Sequence, residues 1–376
     1  MLNVSVVGIG NAGSQVAALA QQELSVDVLA INSSENDFYT LPESVPRVPI
    51  GDLRGAGKDR KTAKVFLKSK VMSMMEDNDI KNILKKDVVF VVSSTGGGTG
   101  SGSSIVLANI IKEVFVDTHV IVVGILPTLA EAFSTQVNTI EYMKELVEIS
   151  KDMTYMMYDN EKFAKEPTQN MMDHINASIV QDINVLRGTY NVPTKYSSID
   201  ERDTMNIIST KGRIAMSSLY DIKEKDLDGK TIEEMLIEQL KVNAHSELQR
   251  DMIVNRTGII VNLSERLIES FNSHLPKVQQ FIGAPVEEFE HIAINEDRHM
   301  CNNVFLIAAG LTQVNDRIRR INERIDEINE QQQQQEDESE LNAVDFDSMT
   351  NKIERRVKDE ESSTKDISSI FSKFGV

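Results

Sequence analysis

The first half of this chain is predicted to be a doubly wound α/β fold, and three features carry the prediction. Short runs rich in Val and Ile recur without strict polar alternation, as strands covered on both faces require. Amphipathic helical stretches lie between the runs and act as right-handed crossovers between parallel strands. Glycine-rich turns follow the runs directly, where sheets of this kind place their ligands, beyond the strand carboxyl ends.

Asn3–Val7, Val26–Ile31, Val88–Val92, Val120–Leu126 and Tyr155–Tyr158 are read as the strands. From Thr168 to Leu186 the apolar residues Met171, Ile175, Ile179, Ile183 and Leu186 keep helical spacing, and Gly188 is a natural stop. This predicts a long central helix. Farther on, Lys211–Leu219, Met252–Leu263 and Val304–Leu311 read as strands, with Ile232–Val242 and Ser264–Asn272 as helices. They predict a smaller α+β second domain joined to the first through the long helix.

Beyond Leu311, the residues Val314, Ile318, Ile321, Ile325 and Ile328 recur every three or four positions on a charged segment, which fits an amphipathic helix or a heptad seam. Its first half is expected to pack on the protein's own body. Gln331–Gln335 and the acidic stretch that follows lack a core pattern and are expected to be disordered. Near the end, Ile367, Ile370, Phe371 and Phe374 form a short apolar motif of the kind that docks on a partner. The expected organisation is a nucleotide-binding domain at 1–167, the central helix at 168–188 and an α+β domain at 189–312. A C-terminal helix at 313–335 and a disordered tail at 336–376 complete it.

The 376 residues suffice for about two domains and a substantial core. A net charge of -18 argues against direct wrapping of nucleic acid, which needs a basic surface, so any link to DNA requires an adaptor. The single Cys301 excludes an internal disulfide and is expected in the core or near a strand start. Apolar runs such as Val120–Leu126 are far shorter than a membrane span, and no leader pattern opens the sequence, so a soluble cytoplasmic protein is expected. The six histidines show no metal-ligand spacing.

Thr95-Gly96-Gly97-Gly98-Thr99-Gly100-Ser101-Gly102 places five glycines in seven positions between an apolar strand and an apolar helix. Bare backbone N–H groups at a helix N-terminus make a phosphate cradle, and Thr95, Thr99 and Ser101 offer hydroxyl donors beside them. A flexible linker would not be flanked in this way. The stretch resembles the GGGTGSG signature of the tubulin/FtsZ superfamily, which implies a GTPase with a guanine nucleotide site assembled from several strand ends. Matches run from residue 4 to residue 311.

Gly8-Ile9-Gly10-Asn11-Ala12-Gly13 is a G-x-G-x-x-G turn, which by itself also fits a dinucleotide-binding enzyme. The second strand, however, ends in neutral Asn32, where a dinucleotide site expects an acid. The resemblance implies phosphate binding by Gly10, Asn11, Ala12 and Gly13, with Asn32 at the next strand end. Arg54-Gly55-Ala56-Gly57-Lys58 is not a Walker loop, because Asp52 and Asp59 stand where glycine and a hydroxyl are required. Instead Gly55, Ala56 and Gly57 resemble the family's third loop, which faces the γ-phosphate, and Lys58 is a candidate charge there. In the same way the resemblance implies that Glu131 holds the ribose and that Asn160, in Asp159-Asn160-Glu161, and Asn176, in Asp173-His174-Ile175-Asn176, read the guanine edge. His174 is expected to be exposed. Magnesium is expected on the phosphates, with no protein ligand identifiable.

Ser198-Ile199-Asp200-Glu201-Arg202-Asp203 precedes a predicted helix. Asp200 and Asp203 lie three apart on one side of its first turn, an arrangement that orients a water but equally one that caps a helix. In FtsZ a similar loop carries two acids at these places, with Asn where Ser198 stands. The resemblance implies that both acids act on the GTP of a neighbouring subunit, so that head-to-tail polymerisation switches on hydrolysis. The charged helix and long tail resemble TubZ, whose filaments move plasmid or phage DNA through an adaptor bound to the tail. An FtsZ-like division filament and a phage-centring filament are the alternatives within the family. An NAD-dependent enzyme is the alternative outside it.

Overall fold

The computed structural model describes residues 1–149, 151–189, 192–194, 196–248, 253–269, 271–295, 301–311 and 316–335. The expectations for 336–376, including the apolar motif at Ile367–Phe374, lie outside the described residues, as does the predicted strand start at Met252. Residues Met1–Asn322 form one compact unit and Glu323–Val376 a second.

The first unit opens with β1 (Val4–Ile9), α1 (Gly10–Leu24), β2 (Asp27–Asn32), α2 (Glu35–Tyr39), β3 (Arg47–Pro49), α3 (Arg60–Glu76) and α4 (Asn78–Leu84). It continues through β4 (Val88–Ser94), α5 (Thr99–Val114), β5 (His119–Leu126), α6 (Phe133–Ile149) and β6 (Thr154–Asp159). A 3-10 turn at Asn160–Phe163 leads to the central helix α7 (Thr168–Leu186) and then α8 (Glu201–Ile208). After these come β7 (Gly212–Leu219), α9 (Glu224–Leu227), α10 (Ile232–Val242), β8 (Val254–Ser264), α11 (Glu265–Ile268), α12 (Pro276–Ile282), β9 (Pro285–Asn295) and β10 (Asn303–Leu311).

All these strands join one sheet in the order β3-β2-β1-β4-β5-β6-β7-β10-β8-β9. The pairs from β3 to β7 are parallel, and β10 lies antiparallel between β7 and β8. Strand alternation explains the apolar runs. Val88, Phe90 and Val92 of β4 face a layer containing α1 and α7, whereas Val89 and Val91 face the layer of α3, α5 and α6. Each such side chain contributes about 1.5–3 kcal/mol on burial, so a strand that is apolar at every position is stable only between two layers.

The second half differs from its expectation in how its sheet is built. Its strands extend the first sheet through the pairs Thr154–Gly212, Tyr155–Arg213 and Met156–Ile214, because the free edge of β6 has backbone groups that need partners. A third apolar cluster, with Leu236 of α10, Val261 of β8, Val278 of α12 and Leu306 of β10, covers this part. Two strands were not visible in the sequence. β3 is three residues long and ends in Pro49, and β9 carries Glu287, Glu288 and Glu290 on an edge that needs little apolar cover. The helix expected over Ser264–Asn272 is the single turn α11.

Residues 316–335 are helical, and Ile321 is buried with Ile318 packed on the α3–α5–α6 layer. Gln331–Gln335 continue the helix to the expected bound at 335 in spite of lacking a core pattern, since glutamine is a good helix former and extension costs little once a helix is nucleated. Cys301 is exposed, two residues before β10, which corrects the core reading. No described helix is long and apolar enough to cross a membrane.

Candidate functional site

The parallel strands β1, β2, β4, β5 and β6 deliver their carboxyl ends to a cavity of about 430 Å³. Its volume lies in the range of small-ligand sites. Gly10, Asn11 and Ala12 enter it from the β1–α1 turn, and Gly10 adopts φ +73, the left-handed conformation that a tight strand-to-helix turn needs. Gly97, Gly98, Thr99 and Gly100 line it beside that turn, where α5 begins. The 16-residue α5 thus directs unpaired N–H groups and its positive dipole end into the cavity.

Glu131, Asn160 and Asn176 arrive from three separate elements and line the same cavity. Oε1 of Glu131 accepts from the backbone N–H of Thr128 at 2.9 Å, which fixes the carboxylate after β5. Asn160 begins the turn after β6, whose geometry is set by Asp159 accepting from the Glu161 N–H at 3.1 Å. Asn176 sits on α7 beside Met171, Met172 and Ile175, which form an apolar wall. An amide with both donor and acceptor beside apolar side chains suits a planar heterocycle.

Asn32 lines the cavity at the end of β2, but its amide donates to Asp37 at 2.9 Å and its oxygen accepts from the Ser33 N–H at 2.8 Å. Its role in this structure is to hold the β2 loop. Ser33 in turn shares a 2.7 Å hydrogen bond with Thr99, tying the β2 loop to the glycine loop.

Several residues expected at the ligand have structural roles in this fold. Gly13 lies outside the cavity lining, and a Cβ there would fall 2.1 Å from the carbonyl oxygen of Val92, so this glycine lets α1 pack on β4. Ser101 and Gly102 are buried within α5; the Ser101 hydroxyl donates to the carbonyl of Gly97. The Thr95 hydroxyl is held by the carbonyl of Ile125 and by Thr139. Gly55, Ala56 and Gly57 do not line the cavity, although Gly55 donates its N–H to Ser33 at 2.7 Å. Gly96 lines a smaller adjoining cavity of about 170 Å³, together with Lys58. His174 is largely exposed and lies 2.9 Å from Glu166.

Gln15, Asp37, Met171 and Met172 line the cavity without having been singled out. Gln15 and Asp37 had no motif to mark them. The methionines carried the same periodic signal as core residues, and that signal does not show which face of a long helix meets a ligand.

Asp200 and Asp203 stand elsewhere. Asp200 caps α8, accepting from the Asp203 N–H at 2.8 Å, and Asp203 accepts from the Asp200 N–H at 3.2 Å. Glu201 is 3.3 Å from the amino group of Met1, just before β1, and the carbonyl of Ile208 meets His119, which opens β5, at 3.0 Å. α8 therefore crosses the amino ends of the sheet, while the cavity lies at the carboxyl ends. A six-residue strand separates the two faces by about 20 Å. Burial lowers His119 to a pKa of about 4, so it meets Ile208 as the neutral imidazole.

Residues 3–167 match the Tubulin/FtsZ family, GTPase domain. The chain is 28% identical over 225 residues to the tubulin-like protein CetZ2 of Haloferax volcanii, covering 56% of this chain and 61% of that protein. It is 28% identical over 151 residues to the tubulin-like protein TubZ of Clostridium botulinum C phage, covering 38% and 41%. The chain thus spans about three fifths or less of the length of these curated relatives. In fold it is similar to the GTPγS-form protofilament of Bacillus thuringiensis serovar israelensis TubZ. The TM-score is 0.73 at 16% identity, over 90% of this chain and 94% of that one.

Proposed function

We propose, from the premise that residues 3–167 of this chain belong to the tubulin/FtsZ family as its GTPase domain, that the protein is a GTPase whose subunits stack head to tail. GTP occupies the cavity at the strand carboxyl ends, with its phosphates on the first turn of α5, its ribose at Glu131 and its base between Asn160 and Asn176. The observation that carries this reading is the convergence of those three residues with the glycine loop on one cavity, from four elements far apart in sequence.

The acids of α8 lie at the other end of the sheet, so a subunit cannot present them to its own nucleotide. Stacking the amino-end face of one subunit on the carboxyl-end face of the next brings Asp200 and Asp203 to the neighbour's γ-phosphate, and repetition of that contact gives a filament. Capping and catalysis are compatible. Oδ1 of Asp200 and Oδ2 of Asp203 serve the cap, while the second oxygen of each makes no hydrogen bond among the described residues and is left to orient the attacking water. Magnesium, when bound with the nucleotide, supplies charge neutralisation on the phosphates; no residue here is assigned to it.

The cellular role we propose is movement of plasmid or phage DNA through a DNA-binding adaptor held by the tail at 336–376. It is supported by the relatives named TubZ and by the net charge of -18, which disfavours direct DNA contact. The longer match to a protein named CetZ favours a second reading, a filament of another cellular role, with the same GTPase cycle.

Equilibrium binding of GTP, ATP and NAD to the full chain tests the nucleotide assignment. Preference for GTP supports it, and preference for NAD returns the dinucleotide alternative. Deletion of residues 336–376 tests the partition role: filaments should persist while capture of the adaptor is lost, and undiminished capture contradicts the role.

A further inference from the structure

We propose that His274, Glu288 and Glu290 bind a divalent transition-metal ion, with zinc as the representative, at the outer edge of the sheet. The site is separate from the nucleotide cavity and does not depend on how that cavity is read.

Glu288 and Glu290 lie two residues apart on β9, so their side chains leave the same face of the strand. β9 pairs with β8 and closes the order of the sheet. His274 comes from the turn before α12, and the next residue, Leu275, is buried in the third apolar cluster, which fixes that turn on the sheet. One ligand atom from each of the three side chains lies within 4.8 Å of the other two. Nδ1 of His274 stands 3.8 Å from Oε2 of Glu288 and 3.8 Å from Oε1 of Glu290. Ligands of a tetrahedral zinc ion, at about 2.0–2.2 Å from it, are separated by roughly 3.4 Å, so small side-chain rotations complete the set. Sequence spacing hides it, because a segment apart from β9 supplies the histidine.

Two surroundings favour a metal over a simple ion pair. The side chains of Glu288 and Glu290 are only 27% and 22% exposed, yet among the described residues neither meets a lysine or arginine. Adjacent carboxylates under partial cover repel each other unless a cation lies between them, and a divalent ion matches both charges where one imidazolium matches half. In addition, Nε2 of Gln279 donates to Oε1 of Glu288 at 2.6 Å and to the carbonyl of His274 at 2.8 Å. It engages the outer oxygen of Glu288 and leaves Oε2, the one facing His274, to the ion, as supporting hydrogen bonds do around metal centres. An imidazole with two carboxylates suits zinc and its neighbours, whereas magnesium and calcium prefer oxygen alone. Three protein ligands leave a fourth position to water, and His274 is 76% exposed, which gives the ion a path in. A bound ion ties the start of α12 to the edge strand.

The test is zinc binding by the untagged, EDTA-treated full chain, measured by calorimetry and by thermal melting with and without zinc. The wild-type chain should take up one equivalent with micromolar or tighter affinity and melt at a higher temperature when zinc is present. His274→Ala and Glu290→Gln should each weaken uptake at least about tenfold and abolish the melting shift. In EDTA both variants should melt close to wild type, since His274 is exposed and Glu290→Gln keeps the shape of the side chain while removing a repelling charge. Cys301→Ser should bind zinc as the wild type does, because the exposed thiol is not part of the set. Absence of saturable uptake below millimolar zinc, uptake unchanged in both site variants, uptake lost in Cys301→Ser, or displacement of zinc by millimolar magnesium would each overturn the site.

Discussion

Asp200 and Asp203 each cap the other's backbone at the start of α8, through hydrogen bonds of 2.8 and 3.2 Å. The exchange fixes both carboxylates on the face that crosses the amino ends of the sheet. It also allows the observed capping role of Asp203 to be separated from the catalytic role proposed for it. Replacing it with alanine should cost about 1 kcal/mol of stability through the lost cap. GTP binding and assembly should be retained, while turnover falls at least a hundredfold, about the contribution of a positioned acid–base group. Phosphate release and sedimentation measured on the same samples check this, and turnover close to wild type would remove the acid's catalytic role.

Asn160 and Asn176 both line the cavity, and the proposed function gives them the base to read. Substituting either with alanine should weaken GTP by about 1–3 kcal/mol, because a polar edge of the base is left unpaired. ATP, which offers different edge groups, should be affected less. Competition of the two nucleotides for the site measures the ratio, and an unchanged GTP-to-ATP preference would show that these residues only line the wall.

Arg317 is fully buried, pairs with Asp159 at 2.9 Å and also donates to the carbonyl of Pro127. It joins the ends of β5 and β6, which lead to Glu131 and Asn160. Arg317→Met should destabilise the fold by about 3–5 kcal/mol, since the Asp159 charge would remain buried without a partner. Burial already raises the Asp159 carboxyl above its ordinary value of 3.8, against the opposing pull of Arg317. The native state therefore holds a proton more readily than the unfolded chain, and this group's contribution to stability falls as pH rises through that window. Loss of the guanidinium widens the window, so the deficit of Arg317→Met in urea titrations should shrink as pH is lowered. A deficit independent of pH would contradict the charge argument.

His119 predicts the opposite dependence. Its native pKa of about 4 lies below the ordinary 6.5, so the unfolded chain takes up a proton that the native state resists. Stability from this group is complete above pH 6.5 and declines as pH falls toward about 4, by about 1.4 kcal/mol per pH unit and about 3 kcal/mol in all. His119→Gln should flatten that part of the stability profile. An unaltered slope between pH 6.5 and 5 would show that His119 is not the group responsible.

The sheet and much of the cavity were legible because burial on two faces and close backbone approach restrict residue choice. Val88–Val92 has to be apolar throughout, and the 96–102 loop has to be glycine-rich. The roles of individual glycines were not legible: Gly13 serves helix packing rather than the cavity, and only the neighbouring carbonyl of Val92 reveals it. The edge strand β9 escaped because an exposed edge tolerates Glu287, Glu288 and Glu290. Arg317 gave no signal either, since a buried arginine on a charged helix looks in sequence like its solvated neighbours. Tertiary pairing with Asp159, 158 residues away, determines its place.

In the proposed filament the water-activating half of the hydrolytic site comes from the next subunit. Specific GTP turnover as a function of protein concentration tests it most directly. It should be near zero at high dilution and rise steeply with the appearance of filaments. Specific turnover that is the same for dilute monomers as for filaments would contradict a shared site.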